Sequence, residues 1–185
     1  MVKKSVAAFM FLMLCGYCVA QQSKTSKKVL EDAAWARAGC GADEARFNIK
    51  LDKTQRPNPQ PEAGQAIVYV FEDDLTHARF PTTRAGLDGK WTGGNVPGSY
   101  LFFSVQPGTH RLCSNWQGNS SVGAAVDFTA EAGKIYYFHA TITSYTSIGS
   151  EVLALKPVED AEAQFLIATH YLSVSQLKSD EDEGD

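Results

Sequence analysis

From residue 47 onward the chain is a succession of short β-rich runs, broken at near-regular intervals by Gly, Pro and Asp. Residues 66–71 (Ala-Ile-Val-Tyr-Val-Phe) are almost continuously apolar, the pattern of a central strand buried on both faces. Asp88-Gly89, set between two short runs, predicts a tight hairpin, because such a turn needs positive φ and Gly supplies it without strain. Pro107-Gly108 marks a second break, between runs at 99–105 and 109–113. Continued alternation places His110, Leu112, Ser114 and Trp116 on one face of the second run and Cys113 on the other. Residues 115–123 read as a polar loop, 124–128 and 134–142 as two strands, and 151–155 as the last strand. Residues 47–51 alternate like a short edge strand, and the prolines within 56–61 predict an extended surface run. Helical spacing occurs twice. Leu30, Ala34 and Ala38 share a stripe over 29–38, and 160–168 reads as a short helix with Asp160 as its N-cap, covering an edge or an open end. The expected fold is mainly β, an antiparallel β-sandwich of about seven strands with a short helix at each end.

The N-terminus sets the compartment. Lys3 and Lys4 precede an apolar run over 6–14, too short to span a membrane comfortably, and Cys18-Val19-Ala20 has small residues at both cleavage positions. The expectation is a signal peptide over 1–20, then an arm and Pro-rich linker over 21–63 and a β-sandwich domain over 64–158. A C-terminal helix and extension occupy 159–178 and an acidic tail 179–185. The mature chain is expected to be secreted or periplasmic, with no transmembrane segment. A lipoprotein is the less favoured alternative, because Leu14 and Tyr17, which are not small, precede Cys15 and Cys18. The C-x-x-C spacing of those two cysteines falls within the segment to be removed and carries no redox reading. Cleavage leaves Cys40 and Cys113 in an oxidising compartment. A bridge is the economical reading, adding up to about 4 kcal/mol in the chain-entropy picture; two buried thiols are the alternative.

Four motifs occur in order: Gly64-Gln65-Ala66-Ile67-Val68-Tyr69-Val70, Leu87-Asp88-Gly89-Lys90, Pro107-Gly108-Thr109-His110 and Glu131-Ala132-Gly133-Lys134-Ile135-Tyr136-Tyr137. Their succession resembles a family of secreted bacterial proteins known only as a domain of unknown function, and is similar to PEGA-type surface domains. The resemblance spans 64–158 and implies a small β-sandwich of the cell envelope or secreted space. It implies no catalytic residue.

Formal charge is -4, and removal of Lys3 and Lys4 takes it to -6. With no basic cluster beyond Lys24, Lys27 and Lys28, nucleic acid is not an expected partner. Gly118-Asn119-Ser120-Ser121 does not make a nucleophile elbow, which leaves a secreted hydrolase with a triad invisible in sequence as the alternative function. Asp73, Asp74 and His77 are weak metal candidates, better read as a polar loop that solvates a strand end, and no cofactor is expected. Among the aromatics Trp91, Tyr100 and Trp116 are the candidate ligand-binding residues. Trp91 follows a hairpin turn and Trp116 ends a strand, so both are expected to be partly exposed, unless they fill the ends of the core. The expected function is a non-catalytic secreted or envelope module that binds a protein or glycan partner.

Overall fold

A computed structural model of the chain describes residues 40–42, 44–72, 82–117, 119–145 and 150–178. The predicted signal peptide, the predicted helix at 29–38 and the acidic tail lie outside them. The strands are β1 (Phe47–Asp52), β2 (Ala66–Glu72), β3 (Thr83–Leu87), β4 (Lys90–Asn95), β5 (Ser99–Val105), β6 (Gly108–Trp116), β7 (Asn119–Ala130), β8 (Ile135–Tyr145), β9 (Ser150–Pro157) and β10 (Tyr171–Leu177), with helix α1 (Asp160–Thr169) before the last. Six strands form one sheet in the order β1-β10-β5-β2-β8-β9, and four form the other in the order β4-β3-β6-β7.

Two apolar layers explain the uninterrupted run in β2. Between the sheets lie Val68, Val70, Leu101, Phe138 and Leu153 of the larger sheet, against Ala85, Leu112 and Ala124 of the smaller. Ile67, Tyr69 and Phe71 point the other way and join Tyr100 and Tyr137 beneath Ala163, Leu166 and Ile167 of α1. Each fully buried apolar side chain of this kind contributes roughly 1.5–3 kcal/mol. The helix therefore covers a face of the larger sheet, not an edge or an open end. Its N-cap is Glu159, in extended conformation without a side-chain cap bond; Asp160 instead stands in the first turn with Glu162, where carboxylates complement the helix dipole.

Three expectations need correction. The larger sheet is mixed, because β2 pairs with β8 and β5 with β10 in parallel. Hairpin signals report only strands adjacent in sequence, and both of these pairs are distant. The polar stretch 115–123 is not a loop: β6 and β7 continue through it, down to the pairing of Trp116 with Asn119. The tenth strand, β10, was expected to be only an extension after the helix. Its inner side is polar, with Ser173 Oγ 2.7 Å from Ser99 Oγ, so apolar alternation marks it weakly.

β1 is the edge strand that its alternation predicts, paired with β10. The Gln117 side chain takes the place of a further strand at Phe47: Phe47 N–H donates to Gln117 Oε1 at 2.6 Å, and Gln117 Nε2 donates to Phe47 O at 3.1 Å. The Asp88-Gly89 turn has φ of 49° and 83°, the two positive values of a type I′ hairpin. Cys40 and Cys113 form a disulfide with their Cα atoms 5.6 Å apart, on the outer face of the smaller sheet.

Candidate binding cleft

The three aromatic candidates do not gather on one surface. Tyr100 is fully buried in the layer under α1, where burial pushes its phenol up to about 12. Trp116 is only 5% exposed. Trp91 is half-buried, but its ring is occupied. A Cβ on Gly41 of the arm would lie 2.7 Å from Trp91 Cδ1, and one on Gly86 of β3 would lie 2.9 Å from Trp91 Cε3. The Arg84 guanidinium sits 4.3 Å from the ring centroid, and Trp91 Nε1 donates to Ala42 O at 2.8 Å. Arg84 also donates to Ala45 O at 2.6 Å and to Asn115 Oδ1 at 2.8 Å. Trp91 is thus the clasp on which the arm closes. Sequence spacing could not show that Gly41 and Ala42 lie against it. Asp73, Asp74 and His77 lie outside the described residues.

A histidine–carboxylate pair stands where the Asp88-Gly89 hairpin turn meets the connection from β5 to β6. His110 Nδ1 is 2.6 Å from Asp88 Oδ2, and His110 Nε2 is 2.7 Å from Gln106 O. Asp88 Oδ1 accepts from Arg111 N–H at 2.8 Å. The bond to Asp88 chiefly raises the imidazole pKa, against partial desolvation. Partial burial pushes the Asp88 carboxyl up, but the Arg111 N–H and the His110 bond and charge outweigh it and hold it below the ordinary range. Both acceptors lack a hydrogen to donate, so both contacts together require the imidazolium. The nitrogen that a catalytic serine would use is taken by Gln106 O. Alongside, Arg111 grips Asp127 with two bonds, at 2.6 and 2.7 Å.

The concave apolar site is on the opposite side of Asp127. β9 follows β8 only to the pairing of Phe138 with Pro157. Val158 N–H still donates to Tyr137 O at 2.9 Å, after which the chain turns into α1. The first residues of β8 are left without a neighbour there, and the inter-sheet layer opens between β7 and β8 into a cleft of about 350 Å³. Val126 and Phe128 of β7 face Tyr136 and Phe138 of β8, with Pro157 and Val158 closing one end. The Phe128 ring lies 5.4 Å from Tyr136 and 5.2 Å from Phe138. The Glu131 N–H donates to Tyr136 Oη at 3.0 Å and fixes that ring. The exposed carboxylates of Asp127 and Asp160 complete the lining.

Such a cleft has the size and apolar lining of a small ligand site, with few polar groups to orient the occupant. Alternation on either side of Glu131-Ala132-Gly133-Lys134 carries the signal for the facing rings. What opens it, the loss of pairing at Pro157, has no such local signal. Comparison with protein-family models, curated proteins and solved structures finds no match to the chain.

Proposed function

We propose that the protein is a non-catalytic secreted or cell-envelope β-sandwich module that binds a protein partner, taking an apolar side chain into the cleft between β7 and β8. The observation that carries this reading is the presence of core-facing Phe128 and Tyr136, half-buried, in an open apolar cleft. Side chains of this kind gain free energy when a partner's apolar group covers them. A protein is favoured over a glycan because Trp116 is a core residue and Trp91 an arm clasp, so neither offers a free ring face to a sugar, whereas the cleft is lined mostly by aliphatic and aromatic side chains. The N-terminal pattern of the sequence and the Cys40–Cys113 bridge both suit an exported chain. The engagement of both His110 nitrogens weighs against a triad built on that residue.

Titration of the ¹⁵N-labelled protein with N-acetyl-phenylalaninamide tests the reading. Amide shifts are expected at Val126, Phe128, Tyr136, Phe138 and Val158, with none there on adding maltotriose. Shifts confined to other surfaces, or a cleft response to the sugar alone, would refute it.

A further inference from the structure

We infer that the partner binds as an added β-strand: an extended, basic segment pairs with the free edge of β7 beside the cleft and places one apolar side chain in it. The inference rests on the cleft being the binding site. It adds the backbone geometry of the partner and its charge.

The direction of the β7 backbone follows from its neighbours. Asp88 N–H donates to Arg111 O at 3.0 Å, so the Arg111 backbone points toward the β3 side of the sheet. Alternation then turns the His110 and Leu112 backbones toward β7, where they pair with Phe128 and Val126. The intervening residues Asp127 and Thr129 therefore direct their N–H and C=O groups away from β6. The side-chain bridge across the opposed pair Arg111 and Asp127 agrees, since side chains approach most closely at pairs that do not exchange backbone bonds. β7 is the last strand of its sheet. Asp127 and Thr129 are exposed, and neither backbone has a bond outside the ladder among the described residues. An incoming strand would meet two donors and two acceptors at the spacing that strand addition uses, with a side-chain pocket next to them.

Charge decides the composition of that segment. Arg111 neutralises Asp127, and around the cleft the exposed acids Glu131, Glu159, Asp160 and Glu162 outnumber the exposed Lys134 and Lys156. An apolar residue flanked by Lys or Arg matches this rim. An acidic segment would be repelled by it and by the overall negative charge of the chain.

The test uses the exported, oxidised, ¹⁵N-labelled protein and the peptide acetyl-Lys-Val-Phe-Val-Lys-amide. A second peptide carries N-methyl groups on alternate amides, and a third has Glu in place of both Lys. The parent peptide is expected to shift cleft amides and to slow hydrogen exchange at Asp127 and Thr129. N-methylation is expected to weaken binding at least about tenfold, as loss of main-chain bonds requires, and the Glu peptide is expected to bind at least about fivefold more weakly. Thr129→Pro, which removes one outward N–H, should weaken the parent peptide alone and leave N-acetyl-phenylalaninamide binding unchanged. Equal affinity of the parent and N-methylated peptides, with cleft shifts in both, would overturn strand addition and leave the cleft reading standing. Equal affinity of the Lys and Glu peptides would overturn the basic character. No cleft response to any peptide or to N-acetyl-phenylalaninamide would overturn both readings.

Discussion

Trp116 and Trp91 differ in what their removal should cost, although the sequence predicts partial exposure for both. Trp116 is 5% exposed at the end of β6, and Trp116→Ala is expected to destabilise by about 3–5 kcal/mol in chemical denaturation. Trp91→Ala removes the clasp but little of the inter-sheet core. A smaller loss, about 1–2 kcal/mol, is expected, together with faster proteolysis of the arm. A Trp116→Ala protein as stable as wild type would contradict the burial assigned to it. His110 gives a pH dependence whose sign is fixed. Its folded pKa is raised above 6.5, so its contribution is complete below that ordinary value and is lost as pH rises through the folded one. The lowered Asp88 carboxyl acts in the opposite sense. Its contribution is present above the ordinary 3.8 and is lost as pH falls through the lowered value. The link from the Asp88-Gly89 turn to Gln106 should thus be firmest between the two. An NMR titration of the His110 ring is expected to give a midpoint above that of a denatured control; a midpoint at or below the control would contradict the double bond.

At the scale of elements, the arm divides into two parts that differ in how they are held. Cys40, Ala42 and Ala45 are held on the smaller sheet by the disulfide, the Trp91–Ala42 bond and the Arg84–Ala45 bond. β1 instead belongs to the larger sheet, paired with β10 along all six residues. The sequence groups Phe47–Leu51 with the arm and linker over 21–63, because alternation there predicts a strand without naming its neighbour. Reduction should therefore speed Glu-C cleavage after Glu44 and leave tryptic cleavage at Arg46 and Lys50 slow, because Arg46 O accepts from Lys178 N–H and Phe47 is held by Gln117. Equal digestion at Glu44 in both redox states would contradict the clasp, and rapid cutting at Lys50 on reduction would contradict the independence of β1. Local turn chemistry was the most legible level: Asp88-Gly89 lies at the β3–β4 hairpin, and Pro107-Gly108 lies where the chain passes from β5 in the larger sheet to β6 in the smaller. β10 carries little of the apolar signal that marks other strands, because its buried inward residue Ser173 bonds across to Ser99.

For the whole molecule, the two-sheet architecture and the Cys40–Cys113 bridge were legible, whereas the strand order was not. Parallel neighbours such as β2 and β8 are set by which faces must be covered, a property of the assembled sandwich that no short window contains. The same holds for the cleft. Phe128, Tyr136 and Phe138 lie in runs that the sequence predicts as strands, and only the departure of β9 at Pro157 leaves them open. The central claim is that this opening receives an apolar group, and a filled cleft tests it most directly. Val126→Trp introduces a large ring into the space beside Phe128. The measurement is the affinity of N-acetyl-phenylalaninamide for wild type and for this variant, with thermal unfolding followed in parallel. The expected result is a loss of at least about tenfold, or about 1.4 kcal/mol, in a variant that still unfolds cooperatively. Unchanged affinity in a folded Val126→Trp protein would contradict it.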